Sequence, residues 1–264
     1  MEGEAGGEAE EPSAELTYET IAPLYDLYTA HHDYEGWLTD LLAVLERRDL
    51  RGNRLLDVAC GTGKSFLPML PRGWEVTGCD ISASMLERAR QKVGEEVRLS
   101  VADMRELPVL GEFDLVWALD DALNYLLDEE ELELALSGMR ANLATTGLLL
   151  FDVNTLRLYR EFFGQTEVMT ELEDGRKVIW EGSGETEVPA ESISEAHLLL
   201  GDGDTSEVLA THRQRHFPEG QVLGALERAG LECLDVYGHG FDGVPKQPLD
   251  EETHTKAIYI ARAA

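Results

Sequence analysis

The sequence predicts an α/β protein: a doubly wound, seven-stranded, mostly parallel sheet carrying an antiparallel β insertion. Three observations lead there. Between residues 54 and 154, short and almost wholly apolar segments alternate with segments of helical period, the mark of parallel strands covered on both faces. Between residues 165 and 217 the apolar spacing drops to two, with EDG and GDGD as hairpin turn signals. After that the α/β rhythm returns and runs to residue 262.

The elements follow in order. Residues 1–16 are rich in Glu and Gly and read as a disordered acidic tail, without the basic, apolar start of a secretory signal. LTYETIAPLYDLYTA has Tyr18, Ile21, Leu24, Tyr25 and Tyr28 at helical spacing, and YEGWLTDLLAVLERR is a second helix. RLLDVAC is the first strand, with a helix expected from near Lys64. WEVTGCD (74–80) is the second strand, followed by the helix SASMLERARQKV with Ser82 or Ser84 as its cap. EVRLSVAD (96–103) and FDLVWAL (113–119) are the third and fourth strands. DEEELELALSGMRANL is a helix and TGLLLFDVN (146–154) the fifth strand. GQVLGALERAG is the last helix, and LECLDVYG and KAIYIAR are strands too close together for a roomy helical crossover, so the final one is expected antiparallel. The organisation is thus a tail (1–16), a main domain (17–164 and 217–264) and an inserted β cap (165–216).

Composition narrows the partners. With 52 acidic and 22 basic residues the net charge is −30, a field that repels nucleic acid and suits cationic small molecules. No apolar run approaches the roughly 20 residues of a membrane span. Three scattered cysteines, Cys60, Cys79 and Cys233, fit a reduced cytoplasm and have no metal-ligand spacing. His31, His32 and Asp33 read as a polar linker between helices rather than a metal site.

DVACGTGKSF (57–66) holds the ligand question, since a glycine-rich turn after the first strand of such a sheet sits at the ligand-binding edge. A phosphate-binding P-loop ends in the same GKS, but its first glycine would fall on Val58, inside the strand. A dinucleotide fingerprint would need a third glycine where Phe66 stands. What fits is an acid followed by glycines four and six residues on: Asp57, Gly61 and Gly63. Here the chain resembles the class I S-adenosylmethionine (SAM)-dependent methyltransferases, over roughly residues 17–163 and 217–262, with Ala59 where the family more often has glycine. The resemblance implies a Rossmann-like methyltransferase fold with SAM as cofactor. It also implies that Asp80 holds the ribose hydroxyls, Ile81 covers an adenine face, Asp103 and Met104 read the adenine, and the Leu119 carbonyl meets the methionine amino group.

The acceptor side is less defined. Asp120, Asp121 and Asn124 follow the fourth strand beside the expected methyl position, and Tyr25 and Tyr28 lie on a helix that covers SAM in related enzymes. In EVLATHRQRHF, alternation separates His212, Gln214 and His216 from Arg213, Arg215 and Phe217, and either face can meet a cavity. His239 follows the sixth strand. The expected catalytic set is Asp121, His216 and Tyr25, with Tyr28, Asn124 and Arg215 on the substrate. The insertion also resembles, more loosely, that of amino-sugar N-methyltransferases, which favours an amine in a small-molecule acceptor. O- or C-methylation, SAM binding without transfer, and use of the insertion as a homodimer interface are the other readings.

Overall fold

The computed structural model describes residues 12–30, 32–164, 167–202, 205–240 and 243–264. The chain opens with α1 (Ala14–Tyr28) and α2 (Tyr34–Glu46). The main sheet then begins with β1 (Arg54–Val58), β2 (Glu75–Asp80), α3 (Ala83–Val93), β3 (Arg98–Val101), β4 (Phe113–Ala118), α4 (Glu129–Ala141) and β5 (Leu143–Asn154). A single helical turn, α5 (Leu156–Leu158), runs on in π-helical form over Tyr159–Phe163. It delivers the chain to β6 (Glu167–Glu171), β7 (Lys177–Gly182), β8 (Ile193–Gly201) and β9 (Ser206–Arg215). The chain closes with α6 (Glu219–Arg228), β10 (Leu231–His239), β11 (Pro245–Lys246) and β12 (Lys256–Ala263).

Among the described residues the large sheet has the order β11-β10-β12-β5-β4-β1-β2-β3, and β6-β7-β8-β9 form a separate antiparallel sheet. The eighth strand is the two-residue edge β11; the other seven are those expected. β1 pairs in parallel with β2 and β4, whereas β12 is antiparallel to both β5 and β10, as the short β10–β12 connection requires. One face is covered by α4 and α6 through Leu132, Leu136, Val222 and Leu226, the other by α2 and α3 through Leu38, Leu41, Leu45 and Leu86. No helix among the described residues is long and apolar enough to cross a membrane.

Two local expectations fail for identifiable reasons. α1 starts three residues inside the expected tail, because Ser13 caps it by accepting the Leu16 amide at 3.2 Å. The helix expected from Lys64 is a run of turns with one 3₁₀ turn at Leu67–Met69. Pro68 and Pro71 explain it, since each lacks an amide hydrogen and Pro71 would clash with the carbonyl four residues back.

α1 lies across the carboxyl end of the large sheet, fixed from both sides. Its Glu19 carboxylate accepts from the Ser82 hydroxyl at 2.9 Å and the Ser84 amide at 3.0 Å, at the start of α3. Its Asp26 accepts from Thr62 at 2.6 Å and pairs with Lys92 at 2.6 Å. Ile21 packs on Val178, Leu198 and Ala210 of the smaller sheet. The helix therefore bridges the glycine-rich turn and the insertion.

The turn after β1 holds Ala59 at φ +59°, Gly61 at +53° and Gly63 at +85°. A side chain on Gly63 would strike the buried Phe66 ring, with 2.6 Å between the added carbon and Cζ. So the phenyl ring that replaces a third glycine is what closes this turn from below. Ala59 is the strained member, since a left-handed conformation costs an L-residue about 1–2 kcal/mol. Ala59→Gly should relieve that strain against about 0.4–1 kcal/mol of added unfolded-state entropy. The expected result is unchanged stability or a gain of up to about 1 kcal/mol by urea denaturation; a clear loss would show that the Ala59 methyl packs more than it strains.

Candidate active site

Two adjoining cavities open at the carboxyl ends of β1–β5, of about 230 Å³ and about 810 Å³. The smaller is walled by Ala59 and Gly61 of the turn, Asp80 and Ile81 after β2, Asp103 and Met104 after β3, and Leu119 after β4. The larger lies between the sheet and the insertion, with Trp180, Leu198, His212 and Gln214 on the insertion side. Tyr18, Tyr25, Tyr34, Asp120 and Tyr125 border both, so the seam between the cavities consists of four tyrosines and one carboxylate.

In the smaller cavity Asp80 is almost fully buried, and each of its oxygens takes one backbone N–H: Gly61 at 2.8 Å and Ser82 at 2.9 Å. The carboxylate keeps spare lone pairs for further donors. Burial pushes its pKa up to about 6, with the Ser82 and Gly61 amides pulling the other way. Asp103 caps the next turn through the Arg105 amide at 2.9 Å and pairs with the Arg105 guanidinium. Burial works against its charge, but Arg105 outweighs burial and holds its pKa below the usual value. A buried carboxylate at the end of β2 and a half-buried one just after β3 fit a ribose diol and an adenine amine and would repel a ribose phosphate. The donor set therefore fits SAM.

Asp57 is not on either wall. It lies behind the turn, 1% exposed, and accepts from the Ser65 hydroxyl at 2.5 Å; burial lifts its pKa to about 7. Gly63 is likewise behind the wall, against Phe66. Both shape the loop, and neither is on a cavity wall.

At the seam, Asp120 and Asp121 both adopt left-handed backbone, φ +62° and +54°, a conformation few non-glycine residues hold. What over-determines them is Asp152, a fully buried carboxylate near the carboxyl end of β5. It accepts the Asp120 amide at 2.7 Å and the Asp121 amide at 3.0 Å, one on each oxygen. Lys256, at the start of β12, completes the cluster by donating to Asp121 and Asp152 at 2.8 Å and lying 3.5 Å from Asp120. Burial alone would lower the Lys256 pKa; Asp121, Asp152 and Asp120 hold it well above the ordinary lysine value. Asp120 also accepts from the Tyr34 hydroxyl at 2.7 Å and has His32 at 3.7 Å. Burial opposes its charge, but Lys256 and then His32 and Tyr34 keep its pKa low. Asp121 accepts from Gln214, and burial, partly offset by Lys256, raises its pKa to about 6.

Of the expected acceptor residues, Tyr25 and Asp121 line the cavities and Tyr28 lines the larger one. Three others do not. His216 is 1% exposed, takes the Glu191 amide at 3.3 Å and faces Glu251 at 3.4 Å, so it ties the end of β9 to the loop before β12. Arg215 donates to the Leu127 carbonyl at 3.1 Å and lies over the Phe217 ring. Asn124 is fully buried, accepting the Asn154 amide at 2.9 Å and donating to the Arg215 carbonyl at 2.8 Å. The cavity face of β9 is instead that of His212 and Gln214. His212 shares a 2.6 Å hydrogen bond with Tyr125, which accepts from Tyr18 at 2.9 Å; burial drops the His212 pKa to about 3. The insertion is not confined to the larger cavity, since Thr211 and Arg213 border the smaller one. His239, the last residue of β10, lies on the larger wall.

Asn124 therefore joins β5 to the end of β9 and lies on neither cavity wall. Asn124→Ala would strand a buried amide and a buried carbonyl, at about 1–3 kcal/mol. Urea denaturation should show that loss; wild-type stability with impaired turnover would return Asn124 to the substrate.

The comparisons with known proteins agree with this geometry. Residues 55–147 match a methyltransferase domain family. YqeM of Bacillus subtilis (strain 168), named as a methyltransferase, is 31% identical over 87% of this chain and 92% of its own length. A dTDP-3-amino-3,6-dideoxy-α-D-glucopyranose N,N-dimethyltransferase of Streptomyces fradiae is 32% identical, over 53% of this chain and 55% of its own. Among solved structures, an S-adenosylmethionine-dependent methyltransferase from Clostridium acetobutylicum superposes with a TM-score of 0.74, covering 94% of this chain and 99% of that one at 22% identity. With the glycine-rich turn after β1, the carboxylates ending β2 and β3, and this extent of shared sequence, the chain belongs to the class I SAM-dependent methyltransferases.

Proposed function

We propose that the methyl group goes to the nitrogen of a small-molecule amine held in the larger cavity. The observation that carries this is the seam: among the described residues the one carboxylate bordering both cavities, Asp120, is kept ionised by Lys256, and four tyrosines border the same junction. A negative charge flanked by aromatic faces stabilises a cation, which is what a nitrogen becomes as it gains a methyl group. The sugar N,N-dimethyltransferase from Streptomyces fradiae supports the same choice of atom.

Bound SAM supplies an electrophilic methyl on its sulfonium. The chain's part is alignment, exclusion of water and handling of one proton. Asp80, Ile81, Asp103, Met104 and Leu119 would hold the cofactor, with Ala59 and Gly61 letting the backbone come close. Asp120 would orient the amine, and Tyr25 and Tyr28 would pack around it. Burial lifts the Tyr25 pKa well above 10, so its hydroxyl stays protonated and serves as a donor. Asp121, with its pKa near 6, is the group on that wall suited to take the proton the methylated nitrogen gives up. The insertion would serve as the acceptor's cap.

Turnover of a panel of primary amines and matched alcohols, read as S-adenosylhomocysteine release, tests the choice of atom. Release with amines is expected; release with alcohols alone would overturn it.

The cofactor side gives a pH prediction. With its pKa at about 6, Asp80 is charged above that pH and protonated below it. Only the charged form accepts from both ribose hydroxyls, so SAM affinity should fall as pH drops through 6, approaching tenfold per unit. Calorimetric titration between about pH 7.5 and about pH 5 measures this. Asp80→Asn should bind more weakly and lose the pH dependence, which separates Asp80 from Asp57, whose pKa of about 7 lies nearby. An affinity flat across that range in the wild type would remove Asp80 from the ribose.

A further inference from the structure

Resting on the amine reading above, we propose that the acceptor is an uncharged-bodied, ring-bearing amine with a neutral oxygen that bonds to Trp180 and His212. We further propose that amines carrying a diphosphate or another anionic group are excluded.

The wall of the larger cavity argues for the apolar body. Phe162 and Trp180 present partly exposed rings on it, with Phe163, Val178 and Leu198 buried around them, a surface that gains from covering apolar rings.

Its charge argues against an anion. Among the described residues Lys256 is the one Lys or Arg on that wall, and three carboxylates already surround it. Asp33, Asp40, Asp120 and Asp121 line the same space. Two phosphate charges placed here would lose water without gaining a free cation and would face like charges. The chain's net charge of −30 adds a field of the same sign.

Two unsatisfied donors argue for the neutral oxygen. Trp180 and His212 pack with ring centroids 4.7 Å apart, and both line the cavity. The Trp180 Nε1 and His212 Nε2 atoms are buried without a hydrogen-bond partner. Tyr125 and His212 Nδ1 share a 2.6 Å hydrogen bond, and when the Tyr125 hydroxyl donates it, a neutral His212 carries its proton on Nε2. Two neighbouring buried N–H groups left unpaired are costly unless a ligand acceptor meets them. A carbonyl, ether or hydroxyl oxygen does so without bringing charge.

The test uses one amine in two forms: the phenyl glycoside of 3-amino-3-deoxyglucose and the thymidine diphosphate ester of the same sugar. Each is titrated calorimetrically into the full chain saturated with S-adenosylhomocysteine, then assayed for methyl transfer with SAM. The glycoside should bind at least tenfold more tightly than the ester. Trp180→Phe, which keeps the ring and loses the N–H, should weaken the glycoside at least tenfold and leave SAM affinity unchanged. Preference for the ester, no binding of either compound, or an unaffected Trp180→Phe would overturn the proposal. Glycoside binding with the methyl placed on a hydroxyl would sink the amine reading and leave the cavity chemistry standing.

Discussion

The site depends on a contact between two strands that read as ordinary core. Asp152 in β5, fully buried, and Lys256 in β12, mostly buried at the cavity wall, are opposite charges on adjacent antiparallel strands, and Lys256 is the cation that offsets the burial of Asp152. Their pairing leaves both Asp152 oxygens also free to accept the amides of Asp120 and Asp121. Those two bonds hold consecutive aspartates in a left-handed conformation that each would leave if released. The strained corner in turn aims one carboxylate at the junction of the two cavities and gives the other to Lys256 and Gln214. A core ion pair thus becomes the device that fixes charge at the junction of the two cavities.

That arrangement separates tasks by strand end. The ends of β2 and β3 present Asp80 and Asp103 to the smaller cavity, where backbone amides and Arg105 set their charge state. The end of β4 serves the seam, and the insertion walls off the larger space. α1 connects the three, through Glu19 to the start of α3, Asp26 to the turn after β1, and Ile21 to the smaller sheet. Cofactor and acceptor walls can therefore differ in chemistry although they share the Tyr18, Tyr25, Tyr34 and Tyr125 rings.

Period and punctuation made most of the fold legible. The parallel strands announce themselves as apolar runs, the antiparallel final strand follows from a short connection, and the cofactor residues sit at strand ends. The missing helix after β1 was also written there, in Pro68 and Pro71. The acceptor side was harder because alternation names two faces of β9 without saying which is covered. It gave His216 and Arg215 as candidates, and the fold turned both to structural bonds, leaving His212 and Gln214 on the cavity. Lys256 and Asp152 carry a signal of their own: an aspartate inside LLLFDVN needs buried donors, and the lysine opening KAIYIAR lies in the strand that pairs with it. Asn124 looked available for substrate only because its partners, Asn154 and the Arg215 carbonyl, are distant in sequence.

The account stands or falls on the Asp152–Lys256 pairing, and a double-mutant cycle of urea-unfolding free energies measures it most directly. Lys256→Met should cost about 3–5 kcal/mol, because it leaves the buried Asp152 carboxylate without its cation, and Asp152→Asn about 1–3 kcal/mol, because an amide cannot accept both the Asp120 and the Asp121 N–H while Lys256 keeps Asp120 and Asp121. The double variant should cost clearly less than their sum, with a coupling of at least about 2 kcal/mol. Additive losses would mean that the two charges do not depend on each other and that something else holds the Asp120–Asp121 corner.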